Sequence, residues 1–404
     1  MIVMKQTFIP VVLGGSRGAY GIGRSLYEEY KIKVHVFCSR IIGPIADVPF
    51  FEYHVLPDIK EEKVLFDEVN KLENETPDIP KIIFGSDDLY AEFVIVNKER
   101  FPKNWIVPYV DENVFKRATD KQYFYEACEK LNVPYPKTKI SAEFEADLPF
   151  EFPIVMKPIT SQNYQDLHFE GKKKVYILEN QEEYRQSFEA MRKGGYQGEV
   201  ALQEYIPGDD STQAVVTAYR SIQDGEVKLI SFGQILLEDH TPSGIGNHLA
   251  ILSREEESVY ENVRKLVEEF GFDAFSNYDL KYDARDGQYK FFELNGRLGV
   301  SHYYVCAAGE NVAAYYIKDW LTKEPIELTI VKNEALFNVV PKRLLLKYIK
   351  DPILKDKIKG FYKTGKVSNP LDCNDGVTLK RRMYIESAKL NFFKKFKQHP
   401  PEEA

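Results

Sequence analysis

The sequence predicts an α/β protein made of more than one unit, with α+β elements in its middle. Three observations predict it. Through the first third, short apolar runs alternate with helical patterns, as in a parallel sheet. Beyond about residue 150, apolar runs succeed one another as strands and hairpins. Residues 331–404 carry 17 Lys or Arg against 8 Asp or Glu, leaving 37 basic against 54 acidic elsewhere, so a basic tail follows an acidic body. At 404 residues the chain has room for roughly two to four units of typical size.

Composition narrows the class. With 44% hydrophobic and 29% charged residues, collagen-like and wholly disordered chains are excluded. No window holds the roughly 18 consecutive apolar residues of a membrane span, and the opening MIVMKQTFIPVVLGG has no small-residue cleavage site. A cytoplasmic location is therefore expected. Cys38, Cys128, Cys306 and Cys373 are far apart, which argues against structural zinc or a disulfide framework.

The elements follow in order. Residues 8–13 (FIPVVL) read as a strand, with a glycine turn and a helix start in GGSRGAYGIG. That spacing does not match a dinucleotide fingerprint, and Cys38-Ser39-Arg40 stands where an acid would close the second strand, so a nicotinamide site is disfavoured. The turn reads either as structural glycines or as a hold for a small substrate at a helix N-terminus. Val34 to Cys38 and Lys81 to Gly85 give further strands, the latter ending in Ser86-Asp87-Asp88, with a charged amphipathic helix over 61–73 between them. A new unit opens with a helix near residue 116, with Asp120 as a cap, stopped by Asn132-Val133-Pro134. Lys157 ends an apolar strand (FPIVMKP), and Gln203-Glu204-Tyr205-Ile206 precedes Pro207-Gly208-Asp209-Asp210.

Residues 276–282 and 289–295 read as a hairpin, with a tight turn at Arg285-Asp286-Gly287. Asp279 lies seven positions before Asp286 and Glu293 six after Gly287, so both meet on one face near the open end, and alternation adds Asn295. Three oxygen donors converge in an otherwise apolar setting. Hard oxygen ligands suit Mg²⁺, and burying two carboxylates without a cation is costly.

The order Lys121, Lys157 in VMKP, Gln203-Glu204-Tyr205-Ile206 with Asp209-Asp210, Asp279, then Glu293-Leu294-Asn295-Gly296-Arg297 resembles the ATP-grasp superfamily of carboxylate–amine ligases. The resemblance covers about residues 8–325. The opening FIPVVLGGSRGAYGIGRSLYEEY is most similar to the D-aspartate ligases that extend the peptidoglycan stem peptide. The resemblance implies an N-terminal Rossmann-like substrate domain (1–115), a small lid (116–203), a central mixed-sheet subdomain with the metal site (204–330) and a basic C-terminal extension (331–404). It implies ATP and Mg²⁺ as cofactors. Lys121 and Lys157 would reach the phosphates, the strand at Gln203, Glu204, Tyr205 and Ile206 would read adenine, and Asp209 or Asp210 would take the ribose hydroxyls. Asp279, Glu293 and Asn295 would hold the metal, and Arg297 would steady the transferring phosphoryl group. One departure stands out: residues 159–166 (ITSQNYQD) replace the glycine-rich loop of many relatives. The lysines 172–174 read as a solvated strand edge, and the loop 240–248, with two of seven histidines, as a cover over the acceptor or a plain capped loop.

The implied partners are a small carboxylic or amino acid and an amine acceptor such as a cell-wall peptide precursor, with no nucleic acid. Ligation of free amino acids into a dipeptide or related metabolite, and a non-catalytic nucleotide-binding regulator, remain alternatives. Residues 342–366 and 390–397 mix apolar and basic residues at helical spacing. They are expected to form a separable tail for an anionic membrane on the inner face, or for a phosphorylated acceptor, with a chain ending near 385 staying folded; the alternative is a basic face docked onto the acidic body.

Overall fold

The computed structural model describes residues 7–159, 164, 166–242, 244–373 and 375–401. Residues 160–163 and 165 of the expected phosphate loop, and Ser243 of the histidine loop, lie outside the described residues.

A strand that is apolar and buried at every position needs a cover on both faces. Strand β1 (Ile9–Leu13) is such a strand. With β2 (Val34–Cys38), β3 (Phe51–Val55), β4 (Lys81–Gly85) and β5 (Trp105–Ile106) it forms a parallel sheet in the order β3-β2-β1-β4-β5. Val11, Leu13 and Ile83 pack towards helix Glu62–Glu75, while Val12, Val36 and Phe84 pack the other way towards helix Arg17–Tyr30. Gly14 leaves β1 at φ +110°, where a side chain would strike Ser86 Oγ at the end of β4. Gly18 lets the first helical turn lie against the Ser86 carbonyl and Val300. The glycine run thus brings a helix N-terminus, capped by Ser16, to the carboxyl ends of two strands.

The second sheet is antiparallel: β6 (Thr138–Ser141), β7 (Ile154–Pro158), β8 (Tyr176–Leu178) and β9 (Val200–Glu204), in the order β6-β9-β7-β8. Its own core is Ile154, Met156, Tyr184, Met191 and Leu202, closed by helix Gln181–Lys193. The third sheet has eight strands: β10 (Gln213–Arg220), β11 (Val227–Glu238), β12 (His248–Ser253), β13 (Ala274–Asp283), β14 (Gln288–Asn295), β15 (Thr329–Ile330), β16 (Ala335–Asn338) and β17 (Val367–Ser368). They run β14-β13-β10-β11-β12-β16-β17, with β15 beside β11. Residues 331–404 therefore supply two strands of the largest sheet.

Asp120 caps helix Lys121–Leu131 by accepting from Gln122 N (2.9 Å) and Tyr123 N (3.1 Å). A separate helix, Glu112–Thr119, precedes it, so the single helix expected from residue 116 is broken at the cap. Phe124 and Cys128 set Lys121–Leu131 among the side chains of β14 and helix Glu257–Phe270, on the large sheet.

Of the two alternatives for the tail, the structure has the docked one. Helix Leu379–Gln398 returns to the N-terminal unit, where Arg381, 1% exposed, donates to the carbonyls of Ala46 (2.5 Å) and Pro44 (3.0 Å) and lies 4.7 Å over the Tyr20 ring. Ile385 and Phe396 are buried, Phe396 packs 5.3 Å from Tyr348, and Lys395 reaches Asp239 (3.2 Å). Apolar positions at helical spacing were legible, but the burial of a guanidinium against loop carbonyls was not. Arg381→Met is expected to lower unfolding stability by about 2–4 kcal/mol in urea, because two carbonyls lose a charged donor. Ending the chain at 385 should lower the midpoint as well, since Phe396 is removed; unchanged midpoints in both would make the helix an appendage.

Candidate active site

The hairpin β13–β14 is built as its alternation requires. Asp279 stands directly opposite Glu293, and Asn277 opposite Asn295. A bulge after Asp279 absorbs the unequal count on the two sides of the turn. The turn itself is wider than the tight one expected: Asp283 pairs with Gln288, and the loop is held by the Gly287 N donating to the Asp283 carbonyl (2.8 Å) and by Arg285 on the Asp283 carboxylate. Asn295 Nδ2 donates to Asp279 Oδ2 (3.0 Å), leaving Oδ1 as a further oxygen donor.

Electrostatics set the carboxylates apart. Burial first, then the Glu293 charge, pushes the Asp279 carboxyl up to about 7. The Lys121 ammonium, 2.5 Å from Glu293 Oε2, is the main force holding Glu293 down to about 2. Burial, and then the Lys121 charge, lowers Lys157 to about 8, and its ammonium lies 5.7 Å over the Phe292 ring. Two cations and two carboxyls thus share one pocket in which one carboxyl is half-neutralised. A dication among Asp279, Glu293 and Asn295 would relieve that repulsion, and an all-oxygen donor set suits Mg²⁺.

Arg297 is buried and clamped by Asp88 through two bonds of 2.7 Å. Burial opposes its charge, and Asp88 overrides it, so its pKa is raised. Asp88 opens helix Asp88–Val96 at the end of β4, and the pair therefore ties the parallel sheet to the β13–β14 hairpin. Sequence reasoning named Arg297 but missed Asp88, whose only signal was its place at a strand end. It also set aside Lys174, whose ammonium donates to the Ile245 carbonyl (2.9 Å) and whose charge contributes to lowering both Glu293 and Lys157. The lysine links the small sheet to the histidine loop.

Gln203 is fully buried, and its Nε2 donates to Tyr125 Oη (2.9 Å) and Thr138 Oγ1 (2.7 Å). Both hydroxyl protons are already spent, on the carbonyls of Phe292 and Pro136, so the Gln203 amide is fixed in orientation. Its Oε1 has no partner among the described residues. An orphan buried carbonyl oxygen is what an exocyclic amine, such as that of adenine, would satisfy. Glu204 turns to Lys137 N (2.8 Å) and Arg285 (3.3 Å), Tyr205 lies beneath Lys281 at 5.5 Å, and Ile206 is buried.

Neither ribose candidate hangs free. Asp209 accepts from Ser211 N (3.0 Å) and Oγ (2.6 Å), and Asp210 from Glu238 N (2.8 Å) and His240 Nε2 (2.9 Å). Burial disfavours the His240 cation, but Asp210 prevails and raises its pKa. Near the glycine turn, the buried Ser86 Oγ lacks a partner among the described residues. Arg17, at the helix N-terminus, makes no hydrogen bond or ion pair among the described residues; burial lowers its pKa, with Asp239 offsetting only part.

The chain is 32% identical over 412 residues to the D-aspartate ligase of Enterococcus faecium (strain Aus0004), covering 98% of each chain. Among solved structures it is similar to an L-amino acid ligase from Bacillus licheniformis (14% identity, 78% of this chain and 75% of that one, TM-score 0.54). It is also similar to the biotin carboxylase domain of Hydrogenobacter thermophilus 2-oxoglutarate carboxylase, crystallised with MgADP and bicarbonate (16% identity, 82% and 74%, TM-score 0.59). These structural likenesses are of fold. No protein-family model matches the chain.

Because Asp279 takes up a proton below about 7 and a metal needs its carboxylate, divalent-cation affinity of the nucleotide-free protein should rise from about pH 6 to about pH 8. Proton release on Mn²⁺ addition, followed in weakly buffered solution, checks this. Affinity that stays flat across that window would remove Asp279 from the ligand set.

Proposed function

The chain belongs to the D-aspartate ligase family of ATP-grasp enzymes, and on that premise we propose that it joins the carboxylate of an amino acid, D-aspartate, to an amine on a peptidoglycan precursor side chain. The observation that carries this reading is the converging set Asp279, Glu293, Asn295, Lys121, Lys157 and Arg297 at the open end of one hairpin.

The reaction is ATP-dependent and ADP-forming. A substrate carboxylate oxygen attacks the γ-phosphoryl group and ADP leaves; the amine nitrogen then attacks the acyl carbon, loses a proton, and inorganic phosphate departs. Mg²⁺, when bound by Asp279, Glu293 and Asn295, supplies charge neutralisation for the phosphates. Lys121 exchanges Glu293 for phosphate oxygens, and Lys157, desolvated beside it, takes a second phosphate. Gln203 Oε1 accepts from the base. Asp210 or Asp209 meets the ribose. Arg297, fixed by Asp88, presents its remaining donors to the transferring group without reorganising. Arg17, whose guanidinium at the helix N-terminus has no hydrogen bond or ion pair among the described residues, takes the substrate carboxylate that does not react. The units 1–115, 116–203 and 204–330 supply substrate site, lid and metal site respectively.

Among the described residues no helix is long and apolar enough to cross a membrane. A cytoplasmic enzyme with a peripheral contact to an anionic membrane is supported by helix Leu379–Gln398. Its buried side faces the body, while Leu379, Met383, Leu390 and Phe393 are exposed in one strip among Lys380, Arg382, Lys394 and Lys397.

ADP release with D- and L-amino acids, with and without a nucleotide-linked muropeptide, tests the function; release supported by no acid at all would overturn it. Glu293→Gln should cut turnover by two orders of magnitude or more, about 3 kcal/mol of transition-state stabilisation, in the same assay. Arg17→Gln should raise the KM for the amino acid about tenfold or more and leave that for ATP unchanged, whereas Lys157→Ala should do the reverse. Equal shifts in both constants would place Arg17 outside the acid site.

A further inference from the structure

A second cluster of ligand atoms lies at the far edge of the parallel sheet and takes no part in the reading above. His35 on β2 faces Glu52 and His54 on the edge strand β3, all three on one face by strand alternation. One ligand atom from each lies within 4.8 Å of the others. We propose that His35, Glu52 and His54 bind a divalent transition-metal ion of the Zn²⁺ class, clipping β3 to β2.

Three features carry it. First, His54 Nδ1 meets Glu68 Oε1 at 2.7 Å, and Lys71 lies on the same carboxylate oxygen at 3.1 Å. A carboxylate there takes the Nδ1 proton and leaves Nε2 as a bare lone pair, the arrangement in which an outer carboxylate orients a metal-binding imidazole. Second, that Nε2 lies 2.9 Å from His35 Nδ1. Two metal–nitrogen bonds of about 2.0–2.1 Å in a tetrahedron span an edge of about 3.3 Å, so a metal can replace the shared proton with a few tenths of an ångström of movement. His35 then carries its proton on Nε2, and Glu52, whose Oε2 lies 3.8 Å from that nitrogen, turns to the Nδ1 side of the ring to bind. Third, the rings are preset: His54 packs 4.6 Å from Phe37, and the His35 and His54 side chains are only 9% and 12% exposed. Glu52, half exposed, can swing in as the third ligand and leaves the fourth position to water. Nitrogen donors distinguish this site from the all-oxygen Mg²⁺ set at Asp279 and Glu293.

The test is Zn²⁺ competition against a chromophoric chelator, on full-length protein saturated with Mg²⁺ and ADP, with Co²⁺ absorption reporting tetrahedral geometry. The expected result is one equivalent bound. Glu52→Gln and His54→Ala should each weaken binding at least tenfold, Glu68→Gln about tenfold through loss of orientation, and Asp279→Asn should leave it unchanged. Glu52 is half exposed, so its variant should keep the fold, verified by circular dichroism, should His54→Ala not. Binding that survives Glu52→Gln and His54→Ala intact, binding lost in Asp279→Asn, or no Zn²⁺ bound by the wild type would each overturn the proposal.

Discussion

Two carboxyl groups placed face to face at the end of an apolar hairpin are the constraint around which the rest of the molecule is arranged. Asp279 and Glu293 cannot both be ionised there unaided, and the protein answers with cations drawn from different parts of the chain. Lys121 comes from the helix Asp120 caps, Lys157 from the small antiparallel sheet, and Arg297 from just past the hairpin itself. These cations are what balance the two carboxyls.

That economy also joins the three sheets. Asp88 on Arg297 ties the parallel sheet to the hairpin, and Gln203 reaches Tyr125, whose hydroxyl binds the Phe292 carbonyl, tying the small sheet to it. Lys174 on the Ile245 carbonyl adds a link from the small sheet to the loop after β11. Each tie uses a group in or beside the pocket. Ligand binding that re-partners Lys121 or Arg297 therefore acts directly on how the units are held together.

Much of this was legible in the sequence, for identifiable reasons. Strand alternation has period two, so Asp279, Glu293 and Asn295 could be set on one face from spacing alone. The bulge and the wider turn were not legible, because they depend on how Asp283 and Arg285 satisfy the loop backbone. Asp88 and Arg297 are 209 positions apart, and no local pattern encodes such a partner. The tail misled for a related reason: basic and apolar residues at helical spacing describe a free amphipathic helix as well as a docked one. Only the carbonyls of Pro44 and Ala46 decide between them.

The same docking has a bearing on how the protein is made. Arg381 bonds to carbonyls more than 330 residues upstream, and it covers Tyr20 in the helix that follows the first strand. A chain leaving the ribosome exposes β1 to β5 early, yet the helix that carries Arg381 begins more than 270 residues after β5 ends. At ordinary rates of about 5–20 residues per second the nascent N-terminal sheet therefore waits many seconds with that flank open. Its closure is a late, long-range event, although every strand of the sheet is made first.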